Sequence, residues 1–252
     1  MSKRMDDLQK YFMNILNHDL KTPVLAQVRS LNMLLDGAFG SLNQEQTEMI
    51  RLTKDSCETI LDMVYTTLMN YKFEQKEIRF NYEPLNVVAL VEGCCADLKS
   101  SFKDKNLNVK IYPSKNISLV KGDKMFFKLA IENIIANSIS YAYRDTTFCI
   151  KFKNTGLNTC ISVIHKGTQM PEEMLDCMFD YYACNSSKNT KIGFGIKLYL
   201  ALQIIKAHGG GIVVRNNLYD ETVFDIIMPN CAEKSYVIKL DRDLLLNENV
   251  SA

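Results

Sequence analysis

The chain has 252 residues, and 30 lysines and arginines against 29 aspartates and glutamates give a net charge of +1. This balance leaves no electrostatic footprint for nucleic acid or an anionic membrane surface, so neither is expected as a partner. The length suits one large or two ordinary domains with a real core. No apolar run approaches the ~18–20 residues of a membrane-spanning helix, and Met1–Arg4 leads into an amphipathic helix, not a signal peptide.

The eight cysteines lie at scattered positions, without a CxxC pair or another metal-like spacing. They are Cys57, Cys94, Cys95, Cys149, Cys160, Cys177, Cys184 and Cys231. In a chain of this size without an export signal, they are expected to be buried, reduced thiols. A cytoplasmic location is therefore predicted.

The first predicted element is a long helix that carries an exposed histidine. Apolar side chains recur at spacings of three, four and seven, at Met5, Leu8, Phe12, Leu16, Leu20, Val24, Leu31 and Leu34. At about 100° per residue, His18 falls opposite the middle of this apolar stripe, with Thr22 on the same face. Pro23 removes the backbone donor for the carbonyl of Asp19. A proline inside a helix costs about 3 kcal/mol or more, so its place after a solvent-facing histidine indicates a purpose.

A helical hairpin is predicted for residues 1–77. The first helix ends before Gly37–Gly40, and a capping box of Asn43 and Gln46 opens a second helix that fades near Glu74–Glu77. Alone, the hairpin leaves an apolar stripe on each helix half covered. Pairing two hairpins into a four-helix bundle covers both stripes, so a homodimer through residues 1–77 is predicted. Docking of the stripe on the chain's own second domain is the alternative.

From residue 78 onward, helices alternate with short strands. Helices are predicted over residues 86–105, 123–141 and 196–208. Strands are predicted over residues 107–112, 118–120, 147–153, 159–165, 211–216 and 222–228. Mostly hairpin-linked strands among helices indicate a two-layer α/β sandwich. This domain is placed at residues 78–230, followed by a loosely attached polar tail at residues 231–252.

Two asparagines stand out on the helix predicted over residues 123–141. Asn133 and Asn137 form an i, i+4 pair on one face. Their neighbours, including Ile131 and Ile134, are strongly apolar, so this face is half buried. An amide in such a place requires a hydrogen-bond partner.

The six residues His18-Asp19-Leu20-Lys21-Thr22-Pro23 resemble, at every position, the phosphoacceptor box of bacterial sensor histidine kinases. Further pieces follow in the order of that family: Glu132–Tyr141 resembles its N box, Met178–Tyr182 its phenylalanine box, residues 183–190 its ATP lid, and Gly193–Ile196 the end of its second glycine box. The resemblance covers about residues 5–230. It implies an α-helical hairpin that forms a dimeric four-helix bundle, followed by an α/β two-layer sandwich of the histidine-kinase ATPase type.

The resemblance also implies roles for individual residues. ATP would transfer its γ-phosphoryl group to His18, with Asp19 as general base, and Thr22 would position water for the reverse phosphatase reaction. The phosphoryl group would then pass to an aspartate in the receiver domain of a response regulator. Asn137 is the implied ligand of Mg²⁺. The implied cofactor-binding residues are Asn133, Asn137, Tyr141, His165, Gly167, Lys188, Lys191, Gly193 and Gly195.

The glycine boxes depart from the family pattern. The first box, Asp-x-Gly-x-Gly, uses its aspartate to accept the adenine amino group, whereas this chain reads His165-Lys166-Gly167-Thr168-Gln169. Losing a hydrogen bond to a charged group costs about 1.5–3 kcal/mol. Gln169 adds about 1–3 kcal/mol of backbone strain if the loop keeps the family's shape. Together these changes are expected to weaken nucleotide binding by about a hundred- to ten-thousand-fold. A neutral imidazole that accepts one hydrogen bond, or Lys188 or Lys191 on a phosphate, can compensate.

Two other positions differ from the family. Lys191 stands in place of the first glycine of the second box, and Ser140 stands where a lysine often follows the N box. Two functions follow from the whole pattern. The first is a histidine kinase that uses ATP and Mg²⁺. The second is a dimeric phosphotransfer or adaptor protein, in which another protein phosphorylates His18 and the degenerate ATP domain is a binding surface.

Overall fold

The computed structural model describes residues 13, 15–114, 119–171, 175, 178–179, 194–217 and 219–231. The chain divides into two compact units, Met1–Ile78 and Arg79–Ala252. Across the part of the chain that is described, no helix has the length and hydropathy needed to cross a bilayer.

The first unit is a helical hairpin. A π-helical turn, Leu16–Leu20, leads into helix α1, Lys21–Leu35, and an eight-residue connection joins α1 to helix α2, Gln44–Glu74. At the end of α1, Gly37 adopts a positive φ of 78°, and its N–H and that of Ala38 donate to the carbonyls of Leu34 and Met33. The two helices pack against each other, and the predicted hairpin is present.

The capping box predicted at the start of α2 is confirmed. The backbone N–H of Gln46 donates to Asn43 Oδ1 at 2.8 Å, and the N–H of Asn43 donates to Gln46 Oε1 at 3.0 Å. Each side chain therefore satisfies an N–H that the first turn of the helix leaves without an intrahelical acceptor.

The apolar faces of the hairpin stay largely uncovered within one chain. No residue of α1 is fully buried. Six large apolar side chains of the hairpin are 44–64% exposed: Leu20, Met33, Met49, Leu52, Ile60 and Tyr65. A groove of about 380 Å³ runs between the helices, lined by Lys21, Leu25, Glu58, Leu61, Asp62, Val64, Tyr65 and Leu68. These exposed apolar side chains lie on both helices of the hairpin or at their start.

The second unit is a two-layer α/β sandwich. Its helices are α3 (Val87–Asp97), α4 (Lys99–Asp104), α5 (Lys124–Tyr141) and α6 (Phe194–Ala207). Its strands are β1 (Glu83–Leu85), β2 (Asn108–Tyr112), β3 (Val120–Gly122), β4 (Thr147–Asn154), β5 (Asn158–Lys166), β6 (Gly211–Asn216) and β7 (Glu221–Pro229). Five strands form a sheet of order β2-β4-β5-β7-β6, in which only β2 and β4 are parallel. Strands β1 and β3 form a separate antiparallel pair.

The core lies between one face of this sheet and the helices. On β5, Ile161 and Val163 are fully buried, while Ser162 between them is half exposed, as the two-residue period of a strand requires. Helix α5 contributes Phe127, Ile131 and Ile134, all without solvent exposure. The predicted sandwich is confirmed.

Two parts of the element prediction are wrong. The single helix expected over residues 86–105 is two helices, which break at Leu98. The strand expected at residues 118–120, of which residue 118 lies outside the described residues, is instead Val120–Gly122. Helix α5 begins after Asp123, whose carboxylate accepts from the N–H groups of the first turn.

Asp123 also meets a buried histidine. His208 Nε2 accepts from the backbone N–H of Asp123 at 2.9 Å, so its Nδ1 carries the proton and donates to the Ile204 carbonyl at 2.7 Å. Asp123 Oδ1 in turn accepts from the N–H groups of Met125 and Phe126. The neutral ring therefore ties the start of α5 to the end of α6, and burial lowers the pKa of His208.

Asn230, directly after β7, bonds to the β4–β5 turn and to β5. Its backbone N–H donates to the Leu157 carbonyl at 2.9 Å, and its Nδ2 donates to the Gly156 carbonyl at 2.8 Å. Thr159 Oγ1 donates to Asn230 Oδ1 at 2.7 Å. One side chain thus secures both the β4–β5 turn and the strand beside it.

The six described cysteines are free thiols. Cys57 and Cys94 are buried and Cys95, Cys149 and Cys160 are half-buried, but Cys231 is exposed. The prediction of buried thiols is therefore wrong for Cys231, which lies beyond the last strand. Cys177 and Cys184 lie outside the described residues.

Candidate functional site

The six residues His18–Pro23 lie in the π-helical turn and the first turn of α1. Pro23 has no N–H for the carbonyl of Asp19, and its ring presses on that carbonyl. The chain widens into the π-helical turn directly before this position, as helices often do at functional sites. The carbonyl of His18 accepts from the Thr22 hydroxyl at 2.8 Å, which ties Thr22 to the histidine.

The imidazole of His18 stands in solvent, as predicted, and its side chain is 86% exposed. His18 Nδ1 lies 3.0 Å from Asp19 Oδ1. Because a carboxylate only accepts hydrogen bonds, Nδ1 is the protonated nitrogen and Nε2 keeps its lone pair. The first unit therefore presents an exposed, oriented nitrogen nucleophile, with an acid group in place to receive the proton of the other nitrogen.

Asn137 of α5 is a buried polar residue in the core of the second unit. It is 1% exposed, and neither its Oδ1 nor its Nδ2 has a hydrogen-bond partner among the described residues. Leaving a buried donor or acceptor unpaired costs about 1–3 kcal/mol for each group. An unpaired buried group of this kind calls for an explanation, and a bound ion is one of those that apply. The hydrogen-bond partner that this amide is expected to require is therefore not among the described residues.

The other predicted residues of α5 differ in their contacts. Asn133 Nδ2 donates to the Lys197 carbonyl of α6 at 3.4 Å, so this amide already has a protein partner. Tyr141 ends α5, one turn after Asn137. A Cβ added to Gly167 would overlap the Tyr141 carbonyl oxygen and approach His165 Cδ2 to 3.2 Å. The end of β5 therefore packs closely against the end of α5 at Gly167, which has no side chain. This packing brings Tyr141, His165 and Gly167 together.

His165 is buried at this junction. It is 1% exposed, and neither ring nitrogen has a partner among the described residues. Burial, and secondly the positive charge of Lys105, lowers the pKa of His165 to about 4. The ring is therefore neutral at physiological pH.

This pKa predicts that the stability of the second unit falls in acid. An unfolded histidine binds its proton near pH 6.5, whereas the folded His165 resists protonation down to about pH 4. The contribution of His165 to the free energy of unfolding is therefore fully present above pH 6.5. It falls by about 3 kcal/mol as the pH drops toward 4. Urea unfolding at several pH values should show a smaller loss in His165→Asn than in the wild type. The carboxylates titrate in both proteins, so parallel pH profiles would contradict the prediction.

Gln169 corrects one expectation. Among the described residues other than glycine, those with a positive φ are Lys76, Asn106, Asp145 and Asp220, and Gln169 is not one of them. Its side chain donates to the Asn217 carbonyl at 3.2 Å. The loop does not keep the shape that would strain this position, so the expected strain at Gln169 is wrong.

Lys105 contacts the end of α5, and the sequence alone does not predict this contact. Its ammonium group donates to the carbonyls of Ser140 and Ala142 at 2.6 and 2.8 Å, at the negative end of the α5 dipole. It thereby fixes the turn that contacts Gly167. Lys105 is 35 residues from Ser140 in sequence, so no local spacing reveals the contact.

Several predicted residues cannot be placed. Lys188, Lys191 and Gly193 lie outside the described residues, as do residues 183–190 of the expected lid. Gly195 is the second residue of α6. Within the described ranges, no three His, Cys, Asp or Glu side chains form a group that could hold a metal ion.

The sequence of the second unit matches a known family. Residues 122–231 match the family of histidine kinase-, DNA gyrase B- and HSP90-like ATPases. The matched residues include both Asn137 and His165.

Relatives extend the similarity into the first unit. The chain is 28% identical over 218 residues to the sensor histidine kinase CssS of Bacillus subtilis. The aligned residues cover 84% of this chain and 45% of CssS. It is 26% identical over 235 residues to the sensor protein VanSC of Enterococcus gallinarum, covering 91% of this chain and 62% of VanSC. The chain spans about half the length of the curated relatives that it matches.

Solved structures share the fold. A structure of full-length ShkA in complex with AMPPNP has a TM-score of 0.71 at 16% identity, and covers 90% of this chain and 47% of that one. The Acinetobacter baumannii histidine kinase AdeS has a TM-score of 0.58 at 19% identity, with 85% and 98% covered. The matches in sequence confirm the resemblance drawn from the motifs, and the solved structures show that the fold is shared. Residues 122–231 are an ATPase-type domain, and the chain is homologous to the core of bacterial sensor histidine kinases.

Proposed function

We propose that this chain is the catalytic core of a histidine kinase of two-component signalling, which phosphorylates His18 from ATP and passes the phosphoryl group to an aspartate of a response regulator. The observation that carries the proposal is the exposed His18, with Nδ1 held by Asp19 and Nε2 free, in a chain that also contains an ATPase-type domain. An imidazole in this state is a nucleophile, and ATP-dependent phosphorylation requires both parts.

The geometry at His18 defines the chemistry. The Nε2 lone pair attacks the γ-phosphorus of ATP, the bond to the bridging oxygen breaks, and ADP leaves. The ring gains positive charge as the P–N bond forms, and Asp19 stabilises that charge and accepts the Nδ1 proton as general base. The product carries phosphorus on Nε2. Thr22 Oγ1, held on the His18 carbonyl, lies one turn away and is proposed to position water for the phosphatase reaction.

The residues of α5 and β5 fit a nucleotide with Mg²⁺. The unpaired amide of Asn137 supplies an oxygen of the kind that hard Mg²⁺ prefers, and the ion characteristically keeps waters and phosphate oxygens as its other ligands. When bound, Mg²⁺ neutralises the charge of the phosphates. The proposed nucleotide site combines Asn137 with Tyr141, His165 and Gly167. It further includes Asn133, Lys188, Lys191, Gly193 and Gly195.

The two parts of the function are assigned to separate domains. Residues 1–77 are proposed to dimerise and carry the phosphohistidine, residues 78–230 to bind ATP, and residues 231–252 to form a tail. The exposed apolar face of the hairpin supports a homodimer in which two hairpins form a four-helix bundle. The proposal places this core in the cytoplasm, with a response regulator receiver domain as its partner.

The dimer predicts the effect of charge on the hairpin face. Leu52→Glu combined with Ile60→Glu should convert the dimer to a monomer, because two carboxylates on each chain would enter an apolar interface. Sedimentation equilibrium gives the mass directly. Met125→Glu, at a 68% exposed position of the second unit, is the control and should stay dimeric. A monomeric wild type, or a variant that remains dimeric, would contradict the homodimer.

Incubation of the pure protein with γ-labelled ATP tests the proposed kinase. Label should appear in an acid-labile, alkali-stable form that depends on Mg²⁺, and Asn137→Ala should lose both the label and nucleotide binding. Absence of label together with absence of nucleotide binding by calorimetry would instead support the adaptor. Transfer of label to a receiver domain then tests the second step.

A further inference from the structure

The face of the sheet opposite the core is apolar at its centre. Side chains that alternate with the core residues lie on this outer face, and the strand register brings them together. Its apolar residues on β4, β5, β6 and β7 are Cys149, Cys160, Ile164, Val213, Val223 and Ile227. The solvated face of an antiparallel sheet commonly carries polar side chains, so this composition is typical of a face that packs against something.

The burial of the outer face is incomplete. Five consecutive residues of β7, Thr222–Ile226, are buried, and Val223 among them is 2% exposed. Burial on both faces is typical of a strand that lies between two layers. Ile164 and Ile227, however, are only half-buried. The outer face therefore has room for further apolar contacts around its centre.

The charges on the outer face favour an acidic segment. The buried carboxylate of Asp225 accepts from Arg215 Nε at 3.1 Å and from the Ser162 hydroxyl, so its charge is already compensated. On β2 and β4, Lys110 and Lys151 lie on the outer face by their register and are exposed. The outer face thus combines an apolar centre with a basic side.

We infer that residues 236–246, in the carboxyl-terminal tail of this chain, bind the outer face. Seven of these eleven residues are apolar: Tyr236, Val237, Ile238, Leu240, Leu244, Leu245 and Leu246. Between residues 241 and 248, three acids stand against one base: Asp241, Asp243 and Glu248 against Arg242. The segment therefore matches the outer face both in its apolar side chains and in the sign of its charge.

The tail begins beside the outer face. Ile227 of that face is four residues before Cys231, the last described residue. Strands lie about 4.8 Å apart, so five of them span about 19 Å, which about six extended residues cross. The segment starts five residues after Cys231 and can reach every strand. A link this short gives an effective concentration of about millimolar, which favours the chain's own tail over a separate partner.

The half-buried thiols of Cys149 and Cys160 report whether the outer face is covered. The full chain is treated with a maleimide at one pH, and the labelled peptides are quantified by mass spectrometry. Combined replacement of Val237, Leu240 and Leu244 by serine should accelerate labelling of both thiols by about tenfold or more, because the apolar contacts of the segment are lost. A free peptide of residues 232–252, added to this variant, should restore slow labelling.

Two controls accompany the triple variant. Asn247→Ser combined with Asn249→Ser changes polar residues of the same tail and should label like the wild type. Cys94, buried on α3, should label slowly in every variant. Faster labelling of Cys94 in the triple variant would overturn the inference, because a local contact leaves the core unchanged.

Other occupants of the outer face give different results. Equal labelling of Cys149 and Cys160 in the wild type and the triple variant would overturn the inference, whether both are slow or both are fast. Protection that disappears when the wild type is diluted would assign the outer face to a second copy of the chain and would also overturn it. Failure of the free peptide to slow the labelling would contradict direct binding.

Discussion

Replacing His18 by glutamine is expected to reduce phosphorylation by ATP to background while leaving nucleotide binding unchanged. The substitution removes the nucleophilic Nε2 and touches no core contact, because the side chain is 86% exposed. Acid-labile label measured after incubation with γ-labelled ATP gives the activity, and calorimetry gives nucleotide affinity. Arg29→Gln, at an exposed position of α1, is the matched control and should retain wild-type labelling.

A graded result is expected at the neighbouring acid. Asp19→Asn keeps an oxygen that can accept from His18 Nδ1 but cannot take the proton, so the rate of labelling should fall by about a hundred- to ten-thousand-fold, the usual contribution of a general base. Phosphorus on Nε2, identified by NMR, is expected in the wild type. Persistent label in His18→Gln, or phosphorus on Nδ1, would contradict the mechanism.

Gly167→Ala is expected to destabilise the second unit by about 3 kcal/mol, the upper range for overpacking a core. The added Cβ would overlap a backbone atom, the Tyr141 carbonyl oxygen, which cannot move without displacing the end of α5. Nucleotide binding should weaken as well, because Asn137 lies one turn earlier on the same helix. Urea unfolding followed by circular dichroism, with calorimetry on the folded protein, measures both effects.

Gly93→Ala is the matched control for this substitution. Gly93 lies inside α3, and a Cβ there would meet nothing within 4 Å. Alanine in an exposed helix interior is favoured over glycine, so this variant should gain about 0.5–1 kcal/mol. Equal stability of the two variants would show that the contact between β5 and α5 is not as tight as described.

The sequence predicts best where the signal is local. The capping box at Asn43, the glycine that ends α1 and the exposure of His18 all depend on neighbouring residues, and the structure confirms them. The α/β sandwich follows from the alternation of helix and strand patterns. The motif order anticipates the family, because it combines many weak signals over most of the chain.

The sequence predicts least where distant segments meet. Strand β1 has only three residues, one of them Pro84, and exists because it pairs with β3 more than thirty residues later. Lys105 likewise acts on the end of a helix far along the chain. Gln169 shows the opposite error, since a family pattern predicted strain in a loop that has a different local conformation here.

Asn230 and Cys231 connect the end of β7 to neighbouring segments of the second unit. Its backbone and side chain bond to Leu157, Gly156 and Thr159, and the N–H of Cys231 donates to the Leu119 carbonyl. A chain shortened to end at Cys231 retains every one of these bonds, whereas one shortened to Pro229 loses them all. A domain shortened before Asn230 should therefore unfold at a lower urea concentration than one that keeps Asn230 and Cys231, so both residues belong in any shortened version.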